Sequence, residues 1–293
     1  RPCDTSSVSF ESDRSPASSR RMLGNDAAPM TRLVRLMAGA LQPPPGRRRI
    51  ALALLYGVLC HVVFALAVVA MSASMFFGMS QSFGRVPDPW ALFANAALLV
   101  QFPVVHSLLL SRRGRGVLKM LAPARYADTL STTTYAIVAS IQLLVLFALW
   151  TPSGIVWWRA EGAVLVLLTA LYVIAWLLLM KASYDAGAEV QSGALGWMSL
   201  VQDAKPVFPD MPTTGLFRLI RQPIYLAFAL TLWTVPVWTP DQLVVALTLT
   251  AYCLAAPLLK ERRFEARYGA RFQEYKGKVP YALPRLRRSR PNG

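Results

Sequence analysis

Six apolar runs, each near the length of a membrane span, occupy residues 50–72, 91–111, 133–150, 161–181, 219–238 and 242–259. A helix needs roughly 20 apolar residues to cross hydrocarbon. The runs neither alternate nor follow a 3.6-residue stripe, so they offer no polar face to water. Only 16% of the residues are charged, against about 25% in ordinary soluble domains. The expectation is an all-α polytopic membrane helix bundle of about six spans, ending in a helical hairpin and a basic cytoplasmic tail. The third and sixth runs are short, and uncharged flanking residues can extend them. Pro223, Pro236 and Pro257 punctuate the last pair, which reads as a tight hairpin turning at Trp238-Thr239-Pro240-Asp241.

Residues 1–49 are polar and rich in Ser, Arg and Pro, with candidate starts at Met22, Met30 and Met37. This basic segment reads as disordered, and residues 50–293 as one membrane domain. The apolar run at Ile50 continues for a full span, so no cleaved leader is expected. A net charge of +16 can suggest nucleic acid, but the cations sit between and outside the apolar runs, where membrane topology accounts for them. Arg47, Arg48 and Arg49 precede the first run, and Arg112, Arg113, Arg115, Lys119 and Arg125 lie between the second and third. The tail from Lys260 is also basic, whereas the opposite loops 73–90, 151–160 and 239–241 carry only Arg85 and Arg159. Both termini should therefore be cytoplasmic in a multi-pass membrane protein. Cys3, Cys60 and Cys253 form no CxxC, only His61 and His106 are present, and no HExxH, Walker A, GxGxxG or GxSxG pattern occurs. No disulfide framework, metal site or soluble cofactor fold is expected. A transporter is disfavoured by the lack of an internal repeat and of charges well inside any run.

This topology brings two polar segments together at the cytoplasmic surface. The fifth run enters through Arg218-Leu219-Ile220-Arg221-Gln222-Pro223-Ile224-Tyr225, and the sixth leaves through Lys260-Glu261-Arg262-Arg263. A hairpin places Arg221 and Glu261 at headgroup level, lining a cleft half in lipid and half in water. Isolated residues of this kind are usually snorkelling anchors with a surface counter-ion.

Their order, however, resembles that of the membrane methyltransferases of the isoprenylcysteine carboxyl and phosphatidylethanolamine N-methyltransferase type. Those proteins carry Arg-His-Pro-x-Tyr, then a Glu-Glu or Glu-Arg element one hairpin later, then Gly-x-x-Tyr-x-x-Tyr-x-x-x-Val-Pro. This chain has Arg221-Gln222-Pro223-Ile224-Tyr225, then Glu261-Arg262, then Gly269 through Tyr275 to Val279-Pro280. The likeness covers residues 213–284 well. A looser similarity to the bacterial methanethiol S-methyltransferase branch extends upstream through Tyr56-Gly57-Val58, His106-Ser107 and Ser131 to Tyr135.

The resemblance implies S-adenosylmethionine as cofactor, bound by Gln222, Pro223, Tyr225, Glu261 and Tyr275, with Arg221 and Tyr225 serving catalysis. It implies methyl transfer to a small thiol or a lipid-soluble acceptor, with prenylcysteine carboxylates and lipid amines as alternatives. A non-catalytic membrane protein of the same fold is the alternative from another class. The chain departs from the pattern at Gln222 for the histidine, Ala227 for a small residue that is usually Gly, and Lys260 for the first acid. Gln exchanges hydrogen bonds but does not titrate near neutrality.

Phe264, Tyr268, Phe272 and Tyr275 read as an amphipathic lid or interfacial helix, and Arg262 and Arg263 as surface anchors. His106 should have a structural hydrogen-bond partner. The loop Gln191 to Trp197 is placed to help close the site.

The charge asymmetry yields a direct test in a cysteine-free background. Periplasmic thiol labelling should reach Arg85→Cys and Arg159→Cys but not Lys119→Cys or Lys276→Cys. Outside labelling of Lys119→Cys would invert the orientation.

Overall fold

A computed structural model describes residues 29–284. It is an all-α bundle with one two-residue strand pair. Five of its helices are long and apolar enough to cross a membrane: α2 (Arg47–Phe76), α3 (Trp90–Leu109), α5 (Ser131–Leu149), α6 (Gly162–Asp185) and α10 (Pro240–Tyr268). Short helices complete the chain: α1 (Pro29–Leu41), α4 (Arg112–Met120), α7 (Ala188–Gln191), α8 (Ala194–Val201), α9 (Pro223–Trp233) and α11 (Ala270–Lys278). The chain is a multi-pass membrane protein.

Helix α2 shows how such a bundle packs. Its buried residues are Arg49, Ala53, Gly57, Cys60, Ala67, Met71, Ser74 and Met75, a stripe stepping by three and four residues. The small residues let neighbours approach closely, as expected where lipid removes the hydrophobic drive between helices. A Cβ on Gly57 would lie 2.7 Å from the Trp197 ring. The other faces expose Leu55, Val58 and Val69, which suits contact with acyl chains.

Two sequence expectations change. Residues 29–41, expected to be disordered, form α1, because their apolar residues recur at helical spacing and α1 has partners on the bundle. Arg32 Nε donates to Glu189 Oε1 at 3.2 Å, and Gln202 Nε2 donates to the Leu36 carbonyl at 2.9 Å. Residues 1–28 of that segment lie outside the described residues. Arg49, counted in the sequence only as a charge before the first run, is buried, and its guanidinium donates to the carbonyls of Pro44 and Val201 and pairs with Asp203 at 2.8 Å.

The second change concerns the run 219–238, where only α9 is helical, for 11 residues or about 16 Å. Pro223 occupies the first turn of α9 and constrains Gln222, whose φ of −123° and ψ of 49° lie outside the helix region. At the far end Pro236 interrupts the chain, and β2 (Val237–Trp238) pairs antiparallel with β1 (Trp158–Arg159). Backbone freed inside a membrane must find partners within the protein. Trp157 N–H donates to the Trp238 carbonyl at 3.0 Å, Ala160 N–H to that of Pro236 at 2.8 Å, and Gln242 Nε2 to that of Leu232 at 2.8 Å.

The hairpin then turns where expected. Thr239 caps α10 by accepting from Gln242 N–H at 2.9 Å and donates its hydroxyl to the Gly78 carbonyl at 2.6 Å. Asp241 in the first turn of α10 is buried and accepts from Trp150 Nε1 at 3.0 Å, Ser153 N–H at 2.9 Å and Ser153 Oγ at 2.6 Å. Helix α10 does not stop at Leu259. It carries Lys260 through Tyr268 as further helical turns until Gly269, at φ 52°, reverses the chain into α11.

Asp241→Ala should remove three hydrogen bonds to one carboxylate, one of them from the buried Trp150 indole, and destabilise the protein by about 2–3 kcal/mol. Thermal unfolding in detergent measures this, and an unchanged midpoint would remove Asp241 as the anchor of the hairpin.

Candidate active site

The entry to α9 is built backwards from α6. Asp185 at the end of α6 accepts the Leu216 N–H at 2.8 Å, and a Cβ on Gly215, at φ 59°, would lie 2.2 Å from that carboxylate. Only glycine fits there. The 3₁₀ turn Gly215–Arg218 then sets Phe217 inward and leads into the non-helical pair Arg221 and Gln222. Arg221 N–H donates to the Pro280 carbonyl at 2.9 Å and Gln222 N–H to that of Tyr281 at 3.2 Å. The segment after α11 thus lies along the broken helix and satisfies it.

The side chains converge on one carboxylate. Arg221 Nε donates to Glu261 Oε1 at 2.9 Å and its Nη2 to Oε2 at 3.4 Å, while Gln222 Nε2 donates to Oε1 at 2.8 Å. Arg221 Nη1 donates to the carbonyls of Val279 at 2.7 Å and Lys276 at 3.2 Å, and the guanidinium lies 5.5 Å from the Tyr281 ring centroid. Glu261 is 7% exposed and Gln222 4%. A carboxylate this buried is held by its donors, because an unpaired one would carry a desolvation cost of several kcal/mol. The Gln222 Oε1 atom is buried without a partner, so one acceptor in the cleft is left for a further donor.

Beside this cluster, the Lys260 ammonium lies 5.4 Å from the ring centroid of Phe217, 5.4 Å from that of Phe264 and 5.8 Å from that of Tyr225. All three are within cation–π range. Helix α11 closes the cleft. The Tyr275 hydroxyl donates to the Phe217 carbonyl at 2.7 Å, Arg271 pairs with Asp210 at 2.5 Å, and Lys276 pairs with Glu265 at 2.9 Å. Burial pushes the Tyr275 hydroxyl up to about 12, so it remains a donor at neutral pH. The space enclosed by Arg221, Gln222, Lys260, Glu261, Phe264 and Tyr275 is about 10 Å³, room for roughly one water.

Of the residues singled out in the sequence, Arg221, Gln222, Glu261 and Tyr275 come together around this cleft. Tyr225 is one turn inside α9 with its ring toward Lys260, and Pro223 shapes the turn without lining the cleft. Lys260, read as a departure from a motif, is a wall of the site, as are Phe217 and Pro212. Phe264 and Phe272 also line it, so the aromatic stripe faces the cleft as well as the interface. The expectation for Gln191 to Trp197 is not met: that loop packs on α2 and α5, with Gly193 against Cys60 and Ala136, and Trp197 Nε1 donating to His61 Nε2 at 3.1 Å. Its glycines serve close packing. His106 does have the expected partner, with 2.7 Å between its Nε2 and the Tyr135 hydroxyl.

Among curated proteins, the chain is 29% identical over 202 residues to the methanethiol S-methyltransferase of Pseudomonas deceptionensis, covering 69% of this chain and 76% of that one. It is 26% identical over 237 residues to the methanethiol S-methyltransferase of Crocosphaera subtropica, covering 79% of this chain and 91% of that one. The chain is similar to the methanethiol S-methyltransferases. It also matches Nurim of Sus scrofa, at 28% identity over 177 residues, 57% of this chain and 64% of that protein. No family model matches the chain, and no solved structure does. The similarity to these proteins runs well beyond the short motif.

Glu261→Ala would leave Arg221 buried without its counter-ion, and a loss of about 3–5 kcal/mol follows. Arg262, exposed on the same turn, should tolerate Ala within about 0.5 kcal/mol. Unfolding of both variants in detergent gives the comparison, and equal small effects would reduce Glu261 to a surface group.

Proposed function

We propose that this chain is a membrane methyltransferase that moves a methyl group from S-adenosylmethionine to a small thiol. The observation that carries the proposal is the buried Glu261 carboxylate, shared by Arg221 and Gln222 beside three aromatic rings that already hold a cation. The donor set suits the cofactor. Glu261 can accept from a ribose hydroxyl or an amino group, Gln222 Oε1 from another donor, and Arg221 can bind a carboxylate bidentately. A sulfonium is attracted to ring faces as an ammonium is, and it would take these rings by displacing the Lys260 ammonium, because two cations repel.

The bound cofactor supplies an activated methyl group. The residues supply alignment and exclusion of water, which can provide much of the acceleration when charge disappears in the reaction. Pockets for molecules of this size enclose about 300–1,000 Å³, against about 10 Å³ in the closed cleft. Binding therefore requires α11 to swing away about Gly269, exchanging the Tyr275, Arg271 and Lys276 contacts for contacts to the ligand. In the bacterial inner membrane, with both termini cytoplasmic, the cleft would open toward cytosolic S-adenosylmethionine. The closed cleft and Gln222 in place of a histidine favour one second reading, a non-catalytic membrane protein of the same fold.

Purified protein should gain thermal stability in detergent as S-adenosylmethionine or its demethylated product is added, by about 2.7 kcal/mol at a hundred times Kd. Labelled methyl should then pass to a thiol in a panel that includes prenylcysteine and lipid amines. No stabilisation of a folded sample at saturating ligand would select the non-catalytic reading, and label in a lipid amine would replace the acceptor.

A further inference from the structure

Helix α1 divides its surface into three sectors, because successive residues step by about 100° around a helix. One sector, with Arg32, Leu36, Gly39 and Ala40, faces the bundle. Arg32 pairs with the buried Glu189 carboxylate at 3.2 Å, the Leu36 carbonyl accepts from Gln202 Nε2 at 2.9 Å, and a Cβ on Gly39 would collide with the Gln202 amide. Ala40 packs on the cluster of Ala53, Leu130, Leu200 and Val201, as do Leu52 and Tyr56 of α2. A second sector holds Thr31, Arg35 and Ala38, all exposed. The third holds Met30, Val34, Met37 and Leu41, a continuous apolar stripe that is 49–83% exposed.

An exposed apolar stripe of this size marks a contact surface, and the surroundings of α1 say what covers it. Because Ala40 shares a cluster with Leu52, Ala53 and Tyr56, α1 lies beside the first turns of α2. Those same turns direct Leu54, Leu55 and Val58 outward, where the span meets lipid. From Arg47 to Leu54 the helix rises about 10 Å, comparable with the interfacial layer between water and hydrocarbon. The charges have one sign: residues 29–49 hold Arg32, Arg35, Arg47, Arg48 and Arg49 and no acid. Arg32 and Arg49 pair with Glu189 and Asp203, whereas Arg35, Arg47 and Arg48 are exposed beside the stripe.

We infer that α1 lies in the membrane plane, with Met30, Val34, Met37 and Leu41 seated in the leaflet where α2 begins and Arg35, Arg47 and Arg48 on anionic lipid headgroups. Amphipathic helices of this kind sink their apolar face about 5–10 Å into the boundary between headgroups and acyl chains, and basic residues beside that face attract anionic lipid. The bundle holds α1 by one sector and the lipid covers another, so Arg35 is left at the water side. Through Arg32 and Leu36 the helix ties Glu189 and Gln202 to the lipid surface. The inference concerns the leaflet around α1 and is independent of the methyltransferase reading.

Cys60 and Cys253 are buried, so Cys3→Ser leaves a background in which an introduced cysteine takes a bimane label, and the background protein carried through the same labelling gives the blank. Full-length protein labelled at Val34→Cys or Leu41→Cys, in vesicles of phosphatidylcholine and phosphatidylglycerol, should lose most of its emission when the lipids are brominated near the top of their acyl chains. The label at Arg35→Cys should keep most of its emission. In equimolar vesicles, bromination of the phosphatidylglycerol alone should quench the Val34→Cys label more than bromination of the phosphatidylcholine alone. Arg35→Gln combined with Arg47→Gln and Arg48→Gln should equalise the two. Equal quenching at positions 34, 41 and 35, or full emission at Val34→Cys, overturns the seat in the leaflet, and a disulfide between Val34→Cys copies would assign the stripe to a second copy of the chain instead. Equal quenching by the two brominated lipids in the otherwise unsubstituted protein overturns the preference for anionic headgroups.

Discussion

A chain in hydrocarbon must satisfy every backbone hydrogen bond within itself, and the architecture follows from that constraint. Five long helices meet it internally. At α9 the chain leaves the helix at both ends, and freed groups at each end are met by specific partners. The strand pair with β1 and the Gln242 side chain serve one end, and the segment at Pro280 and Tyr281 serves the other. The entry to α9 is where function concentrates, because Gln222, at φ −123° and ψ 49°, is neither helical nor extended, and its side chain and that of Arg221 reach the same carboxylate instead of pointing to opposite faces.

That carboxylate is Glu261. A buried carboxylate with two side-chain donors is weak evidence for stability, since an apolar replacement of equal shape is often as stable. Its value lies in joining three parts of the chain. Glu261 belongs to α10, its donors to the entry of α9, and the Arg221 guanidinium reaches on to the carbonyls at the end of α11. Helix α11 is thereby a cover whose closure depends on the same residues that would contact a ligand. A polar molecule entering the cleft would compete for those hydrogen bonds and change the position of the cover as it binds.

Helix α10 works on two faces. Glu261 and Lys260 face the cleft, while Tyr252 and Arg263 face His106 and Tyr135.

The apolar runs, their lengths and the charges between them were enough to determine that the chain is a helical membrane bundle, because transfer of backbone and side chains into lipid leaves few alternatives. Thr239-Pro240-Asp241 marked the hairpin correctly, since a cap, a first-turn proline and an acid act locally. Arg221, Gln222, Glu261 and Tyr275 were legible as a group because their order along the chain carries a motif. Only the tertiary structure decided that α9 is short and that α1 docks on Gln202 and Glu189. It also decided that Lys260 sits among three rings and that His106 pairs with Tyr135 while its other nitrogen is buried without a partner. Each of these depends on contacts between residues distant in sequence, in which close packing or a single hydrogen bond outweighs the local propensity that a linear reading measures.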